Sequence, residues 1–291
     1  MIIRHAKFFT AVAAVALLMF VPAPAVRTAE EPAKRVIVAK DDVVYGRVGG
    51  AGLLADIAHP ESATKLPVIL SVHGGRWMRG TKRDNGAIDV RKWAELGFFA
   101  MAIDYRLRDL SAPPACYQDV HCAVRFIHHH ARQYNIDEDR IFLIGQSAGG
   151  HMVSLAATRG FAKLPKTGGW DDARDDFRAS ICVSGPQDLT TLSWGNLWTP
   201  AGVDPAEARE AASPIRHVSA DMKPLLIFHS DDDKSVPIAN ALDMVKVLEK
   251  NKAPYEFHHY KNAGHMSVTP EVIEKSLAFI KGHSETPSGK R

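Results

Sequence analysis

RIFLIGQSAGG, residues 140–150, decides the fold of this chain. Its apolar half predicts a buried strand, and a helix is predicted to begin near His151. Between the two, the Gly-x-Ser-x-Gly pattern at 145–149 predicts a tight turn that holds Ser147 in a strained backbone conformation, with its hydroxyl outside the sheet. Glycines are needed in this turn because a side chain would collide with the neighbouring strand or helix. The stretch therefore predicts a nucleophilic serine where a buried strand meets a helix.

Strands and helices alternate along the rest of the chain, as is typical of a parallel sheet covered by helices. Short runs at 36–38, 43–45 and 53–58 predict early edge strands. The predicted class is α/β, with a mostly parallel central sheet, helices on both faces and active residues beyond the carboxyl ends of the strands. The main strands are expected at 67–73, 98–103, 140–144, 179–183, 224–229 and 255–260, and the helices at 90–96, 115–134, 238–250 and 270–281.

The N-terminus has the pattern of a secretory signal peptide. Arg4, His5 and Lys7 precede an apolar run at 8–21, and Pro-Ala-Pro-Ala follows at 22–25. A retained membrane anchor is the alternative, but this run is shorter than the roughly 20 residues that span a bilayer. We expect a cleaved signal at 1–25, a periplasmic or secreted protein, and no stable membrane insertion after signal removal.

Length and charge bound the remaining organisation. A chain of 291 residues fits one large α/β domain, or at most two small ones. The expected divisions after the signal are an N-terminal linker or edge segment at 26–42, a catalytic domain at 43–283 and a flexible tail at 284–291. Removal of Arg4 and Lys7 takes the net charge from +3 to about +1, so neither nucleic acid nor an anionic membrane is an expected partner. The oligomeric state is not predicted.

No residue pattern indicates a metal or another cofactor. His128-His129-His130 lies on the predicted helix 115–134, where consecutive side chains point in different directions, so we expect a surface position rather than metal chelation. Cys116 and Cys122 are six positions apart, too far for a bridge along one regular helix. They bridge only if Cys116 lies in the preceding turn, and the sequence leaves this open.

The expected base for Ser147 is His265, between the last predicted strand and the last helix. In proteins with this serine turn, an acid and then a histidine follow in the chain. The acid is ambiguous, because Asp231, Asp232 and Asp233 all follow the strand at 224–229. Residue chemistry favours Asp233 modestly, since it opens the turn before the next helix, although helix capping is its other possible role. The other two are expected to be solvated.

Backbone amides at two turns are candidate donors to a developing oxyanion. Ala148 directly follows the serine, while Gly74 and Gly75 follow a buried strand. A simple glycine turn is the alternative for the second pair. Trp77 is expected either to line the substrate pocket or to pack in the core, and the same holds for Trp194 and Trp198. Asp104 and Arg106 are expected to form an ion pair, and Asp119 to serve a helix N-terminus.

Five motifs occur in order along the chain, and as a set they resemble those of the α/β-hydrolase esterases. The resemblance covers 43–283 and extends to relatives of hormone-sensitive lipase, to feruloyl and acetyl xylan esterases and to kynurenine formamidase. The motifs are His73-Gly74-Gly75-Arg76-Trp77, Asp104-Tyr105-Arg106-Leu107, Gly145-Gln146-Ser147-Ala148-Gly149-Gly150, His229-Ser230-Asp231-Asp232-Asp233 with Val236-Pro237, and Gly264-His265.

The resemblance implies an α/β-hydrolase fold, and it also implies which aspartate is the acid of the site. In the family pattern His-Gly-x-x-Asp-x-x-Val-Pro, the acid position is Asp233, and Ser230 replaces the usual glycine. Arg76 stands where the lipase-like branch has a third glycine, and the sequence leaves open which of the backbone amides of Gly74, Gly75 and Arg76 donate to the oxyanion. A lid is expected only from 186–212, which implies an open pocket for small or polymer-attached acyl groups.

The implied function is that of an exported serine hydrolase that cleaves short-chain or carbohydrate-linked carboxylic esters. Its expected partner is a small-molecule or polysaccharide-linked ester, without a cofactor. An amide hydrolase, of the arylformamidase or prolyl oligopeptidase kind, is the main alternative, and a non-catalytic binding module is another. The implied site residues are Ser147, Asp233 and His265 for catalysis, Gly74, Gly75 and Ala148 for the oxyanion hole, and Trp77 for substrate binding.

Overall fold

A computed structural model describes residues 35–84, 86–161 and 164–284. The predicted signal peptide at 1–25 lies outside the described residues, as does the predicted tail apart from Ser284. Eight strands within the described part form one sheet. They are β1 (Ile37–Val48), β2 (Ala51–Pro60), β3 (Leu66–Val72), β4 (Phe99–Ile103), β5 (Ile136–Gln146), β6 (Ala179–Val183), β7 (Leu225–Ser230) and β8 (Tyr255–Tyr260).

The sheet is mostly parallel, with strand order β1-β2-β4-β3-β5-β6-β7-β8. Two pairings are antiparallel, β1 with β2 and β2 with β4, so β2 alone runs against the other described strands. From β4 to β8 all neighbours are parallel, so the carboxyl ends of these strands share one edge. This arrangement confirms the predicted class and gathers the loops after β3, β5, β7 and β8 at that edge.

Helices cover both faces of the sheet. Leu70 and Leu143 share a core cluster with residues of α2 and α3, and Ile227 shares one with residues of α5. Phe142 and Phe228 face the opposite side, with residues of α1 and α6. The helices are α1 (Val90–Glu95), α2 (Ala115–His129), α3 (Ala148–Arg159), α4 (Pro205–Ala212), α5 (Ala239–Lys250) and α6 (Pro270–Ser284).

Burial on both faces explains the composition of the central strands. In β5, Ile141 and Leu143 contact one core cluster while Phe142 and Ile144 contact the other. A strand with two buried faces needs apolar residues at every position rather than at alternate ones. Therefore the unbroken apolar runs of the sequence locate the centre of the sheet.

Several element boundaries differ from the prediction, among them those of β1 and α2. The runs at 36–38 and 43–45 belong to one strand, β1, in which Asp42 at φ 55° lies within an irregularity between Lys40 and Val43. The sheet therefore starts before the predicted domain boundary at 43. The helix predicted at 115–134 ends at His129, since the chain turns and reaches β5 through Asn135 at φ 52°. Within the described residues, no helix is both long and apolar enough to cross a membrane.

The crossing of α3 over the sheet depends on the absence of a side chain at Gly149. A Cβ there would lie 1.9 Å from the Val72 carbonyl oxygen and 2.7 Å from that of His73. Since both atoms belong to backbone, no rotamer change relieves the clash. We expect Gly149→Ala to lower the free energy of unfolding by about 3 kcal/mol or more, measured by urea denaturation.

Gly282 is the matched control for this substitution. It lies exposed in α6, and a Cβ there would meet nothing within 4 Å. Gly282→Ala is expected to stabilise by up to about 1 kcal/mol, because alanine favours helix over glycine. Equal unfolding midpoints for the two variants would contradict the proposed backbone clash.

Candidate active site

Ser147 lies at the sharp turn between β5 and α3. Its backbone has φ 53° and ψ −116°, and the residue is 7% exposed. The Ser147 N–H donates to the Val183 carbonyl at 2.9 Å, which ties the turn to β6. A non-glycine residue at this φ is strained, as expected for a serine held above a strand end. Ala148 begins α3, and the first N–H groups of a helix have no intrahelical partner.

The glycine loop after β3 lies directly against this turn. A Cβ on Gly74 would be 3.2 Å from the Ser147 Cβ and 2.3 Å from the Gln146 Oε1. Gly75 has φ 101°, and its carbonyl accepts hydrogen bonds from the N–H groups of Met78 and Arg79. A side chain at position 74 would displace the Gln146 amide and crowd the serine turn. The fold thus brings the predicted donor loop beside the predicted nucleophile.

Asp233 and His265 are joined by a direct hydrogen bond. The His265 Nδ1 is 2.8 Å from the Asp233 Oδ2. The other oxygen of Asp233 accepts hydrogen bonds from the N–H groups of Ser235 at 2.8 Å and Val236 at 2.9 Å. A carboxylate held from both sides in this way orients the imidazole and leaves Nε2 as its reactive nitrogen.

The surroundings of Asp233 favour its ionised form. Burial by itself would raise the pKa of this carboxyl group, but the hydrogen bonds from His265, Val236 and Ser235 outweigh it and the pKa lies below the usual 3.8. His229 lies behind, with Nε2 2.8 Å from the Val236 carbonyl oxygen and 3.5 Å from the Asp233 Oδ2. Burial lowers the pKa of His229, which favours a neutral ring that donates to that carbonyl.

The neighbouring aspartates have other partners. Asp231 contacts His259 at the surface. Asp232 is exposed, as expected, and it also accepts hydrogen bonds from the Ser230 hydroxyl at 2.7 Å and the Gly264 N–H at 2.8 Å. The Ser230 oxygen also accepts from the Ala263 N–H at 2.9 Å. Asp232 and Ser230, the residue that replaces the family's glycine, therefore hold the loop that carries His265.

Gln146 connects the loops around the serine, a role that the sequence did not predict. Its Nε2 donates to the Met266 carbonyl at 3.0 Å, so the residue before Ser147 is tied to the residue after His265. No hydrogen bond joins the side chains of Ser147 and His265 among the described contacts. Such catalytic hydrogen bonds frequently form only with substrate bound. The one sequence feature that could have indicated this role is the position of Gln146 inside the serine motif.

Trp77 is fully buried and offers no surface to a substrate. Its ring packs against His151, Trp198 and Trp194, at centroid distances of 5.1, 5.3 and 5.8 Å. The structure therefore gives Trp77 the core position, and its prediction as a substrate-binding residue is corrected. Trp194 is only partly buried and remains at the edge of this cluster.

Asp104 and Arg106 do not pair with each other, contrary to the prediction. The Arg106 Nη2 is 2.7 Å from the Asp119 Oδ1, and the Lys82 Nζ is 2.8 Å from the Asp104 Oδ2. Asp119 is buried inside α2 and pairs with Arg106 instead of serving the first turn of the helix. Tertiary packing therefore pairs Asp104 with Lys82 and Asp119 with Arg106.

Lys82 anchors the loop that follows the glycine motif. This side chain is 6% exposed, and its Nζ lies 2.8 Å from Asp42 in β1 as well as from Asp104 after β4. The adjacent Arg83 Nε is 2.6 Å from Asp56 in β2. These contacts join the loop to three strands at the antiparallel edge of the sheet. Nothing in the local sequence pattern indicated them.

The structure gives the positions of the three cysteines and of the histidine triplet at 128–130. Cys116 and Cys122 both lie in α2, so they do not bridge, and all three cysteines are free. The surface position predicted for the triplet is wrong for His128, which is buried with Nδ1 3.0 Å from Glu138 and Nε2 2.8 Å from the Asp176 carbonyl oxygen. Among the described residues, no cluster of three His, Cys, Asp or Glu side chains is placed to hold a metal ion.

His151, one turn after the serine, makes stability depend on pH. Burial lowers its pKa to about 4, against a hydrogen bond to the Ala212 carbonyl that raises it. In the unfolded chain the pKa is about 6.5, so between about pH 6.5 and pH 4 mainly the unfolded chain binds the proton, and the folded state loses stability as pH falls through this range.

We expect this titration to remove about 2 kcal/mol of the free energy of unfolding between pH 7 and pH 5. Urea denaturation of the wild type and of His151→Gln at both pH values measures it. Glutamine keeps a donor for the carbonyl and does not titrate. Between pH 7 and pH 5 the variant should therefore lose about 2 kcal/mol less of its free energy of unfolding than the wild type. The same pH dependence in both proteins would contradict the prediction.

Fold and topology together define the class of protein. A mostly parallel sheet of this strand order, with a strained Gly-x-Ser-x-Gly turn after β5, an aspartate after β7 and a histidine after β8, is an α/β-hydrolase of the esterase superfamily. The chain belongs to the BD-FAE family, whose sequence profile matches residues 55–248.

Named relatives and solved structures agree with this class. The probable carboxylic ester hydrolase LipM of Mycobacterium tuberculosis is 30% identical over 231 residues, 74% of this chain and 53% of that protein. Esterase LipQ of the same organism is 27% identical over 247 residues, 80% of this chain and 58% of that protein. The chain thus spans about half the length of the curated relatives it matches. A truncated carbohydrate esterase from gut microbiota has the same fold, with a TM-score of 0.75, 23% identity and coverage of 86% of this chain and 97% of that one.

Proposed function

We propose that this protein hydrolyses carboxylic esters through an acyl-enzyme formed on Ser147. The observation that carries the proposal is the 2.8 Å hydrogen bond between Asp233 and His265. Ser147 occupies the strained turn after β5, at the same edge of the sheet as the Asp233–His265 pair. A serine hydroxyl is a poor nucleophile until an oriented base removes its proton, and this pair is built to orient one.

In the proposed reaction, His265 Nε2 accepts the proton of the Ser147 hydroxyl while the oxygen attacks the ester carbonyl carbon. Asp233 holds the Nδ1 proton and stabilises the imidazolium. Backbone N–H groups of Gly74, Gly75 and Ala148 donate to the oxyanion. His265 then protonates the leaving alcohol, and the acyl group stays on Ser147. In the second half of the reaction His265 deprotonates a water that attacks the acyl carbon, and His265 returns this proton to the Ser147 oxygen as the acid leaves.

The proposed substrate class is a short-chain or carbohydrate-linked acyl ester. The relatives LipM and LipQ, which are named as ester hydrolases, support ester hydrolysis. The structural neighbour from gut microbiota is a carbohydrate esterase, which supports a carbohydrate-linked ester. The signal-like pattern at 1–25 supports export to the periplasm or medium, where such polymers are met.

Chain-length preference tests this function. We would measure kcat/KM on p-nitrophenyl acetate, butyrate and octanoate, with Ser147→Ala as the background. Turnover that requires Ser147 and falls with acyl length is the expected result. Absence of Ser147-dependent turnover on all three, together with cleavage of N-formyl aromatic amines, would favour the amide hydrolase alternative.

A further inference from the structure

Arg76 presents a guanidinium group that no carboxylate neutralises within the described part of the chain. Two other cations of the same loop, Lys82 and Arg83, are each paired with aspartates. Arg76 is exposed, and its one described side-chain contact is with the Trp194 ring, 5.3 Å from the ring centroid. Arg79 of the same loop is also exposed and has no described carboxylate partner, but of these two cations only Arg76 contacts an aromatic ring in the described part of the chain.

Trp194 holds this guanidinium beside the candidate active site. The Trp194 Nε1 donates to the Ser235 carbonyl at 3.2 Å, and the Ser235 N–H donates to Asp233. Arg76 is in turn two residues from Gly74, whose Cβ position lies against Ser147. The Arg76–Trp194 pair thus bridges the loop beside the nucleophile and the loop that carries the acid.

The backbone at Arg76 is strained, which argues against an incidental position. Arg76 has φ 54° and Trp77 has φ 60°, in the left-handed region where glycine is at ease and other residues are not. Strain of this kind is retained mostly at functional sites. A glycine would satisfy the backbone at position 76 but would supply no charge.

We propose that Arg76 and Trp194 form an anion-binding subsite that selects esters carrying a carboxylate; this proposal rests on the proposed function. A guanidinium lying over an aromatic ring keeps its N–H donors in its own plane, where they match the two oxygens of a carboxylate. The ring restricts the side chain, so less rotamer freedom is lost on binding. The substrate class becomes an ester with a free acid group on its acyl or alcohol part.

Two matched pairs of probes test the subsite. The first is p-acetoxybenzoate against p-acetoxybenzamide, with the charge on the alcohol part. The second is the p-nitrophenyl monoester of adipic acid against the p-nitrophenyl ester of adipamic acid, with the charge on the acyl part. We expect Arg76→Gln to lower the ratio of kcat/KM for anionic over neutral ester by about tenfold on at least one pair. Arg76→Lys, which keeps the charge without the fork, should give an intermediate ratio.

Arg132→Gln is the matched control, since Arg132 is an exposed arginine after α2, at the opposite edge of the sheet. It should leave both ratios unchanged. Unaltered ratios in Arg76→Gln, or equal losses in both variants, would overturn the subsite.

Failure of the proposed function is distinguishable from failure of the subsite. If no ester shows Ser147-dependent turnover, calorimetric titration of the wild type and Arg76→Gln with benzoate and benzamide decides. Binding of benzoate but not benzamide, lost in Arg76→Gln, would support the subsite without the esterase activity. No difference between the two ligands would overturn it.

Discussion

Ser147→Ala is expected to lower kcat/KM on p-nitrophenyl acetate by about 10⁵-fold or more, while leaving the fold intact. The loss is large because, in the proposed mechanism, the hydroxyl oxygen is the atom that attacks the ester carbonyl, and no neighbouring side chain replaces it. The fold should survive because the Ser147 hydroxyl makes no hydrogen bond among the described contacts and the turn is held by backbone bonds to Val183 and His151.

Ser219→Ala provides the control for this substitution. Ser219 lies before β7, at the edge of the sheet opposite the candidate site, and bonds Asp221. The variant should match the wild type in activity. The melting temperature and circular dichroism of both variants report on folding. If Ser147→Ala keeps more than a trace of activity while Ser219→Ala is normal, Ser147 is not the nucleophile.

Asp233→Asn is expected to lower kcat by about 10⁴-fold without unfolding the protein. Asparagine keeps an oxygen for the N–H groups of Ser235 and Val236. Its amide nitrogen then faces the His265 Nδ1 and favours the tautomer with the proton on Nε2. In that tautomer Nε2 has no free lone pair to accept the serine proton, so the loss falls on kcat more than on KM.

Asp231→Asn is the matched control two residues away. Asp231 contacts His259 at the surface and makes no described contact with His265. Its substitution should change kcat by less than about threefold, as for other surface positions away from reacting groups. Steady-state kinetics of the two variants side by side make the comparison. Equal losses would mean that Asp233 is not the acid of the site.

How far the sequence predicted this protein depends on the range of the interactions involved. Strand positions followed from apolar runs, because a strand buried on both faces must be apolar throughout. The placement of Ser147, Asp233 and His265 after β5, β7 and β8 followed as well, since parallel strands bring their carboxyl ends together. The acid needed the resemblance to known esterases, because three consecutive aspartates cannot be separated by local pattern, and the hydrogen bond to His265 now distinguishes Asp233.

The wrong predictions concern side chains whose partners are distant in the chain. Asp104 and Arg106 are close in sequence, yet packing brings Lys82 to one and Asp119 to the other. His128 was expected at the surface, but the covering segment that contains Asp176 buries it. Local pattern gives the direction of a side chain on its own element, and it does not say which other element covers it.

The sequence by itself determined the α/β class, the order of the elements and the strand ends that carry the candidate residues, because these depend on local periodicity and turn chemistry. Tertiary structure alone decided that Trp77 is core, that Gln146 ties the serine turn to the histidine loop, and that Arg76 lies over the Trp194 ring. Those outcomes depend on which loops meet above the sheet. Contacts between residues far apart in the chain are set by packing and hydrogen bonding, which no local pattern encodes.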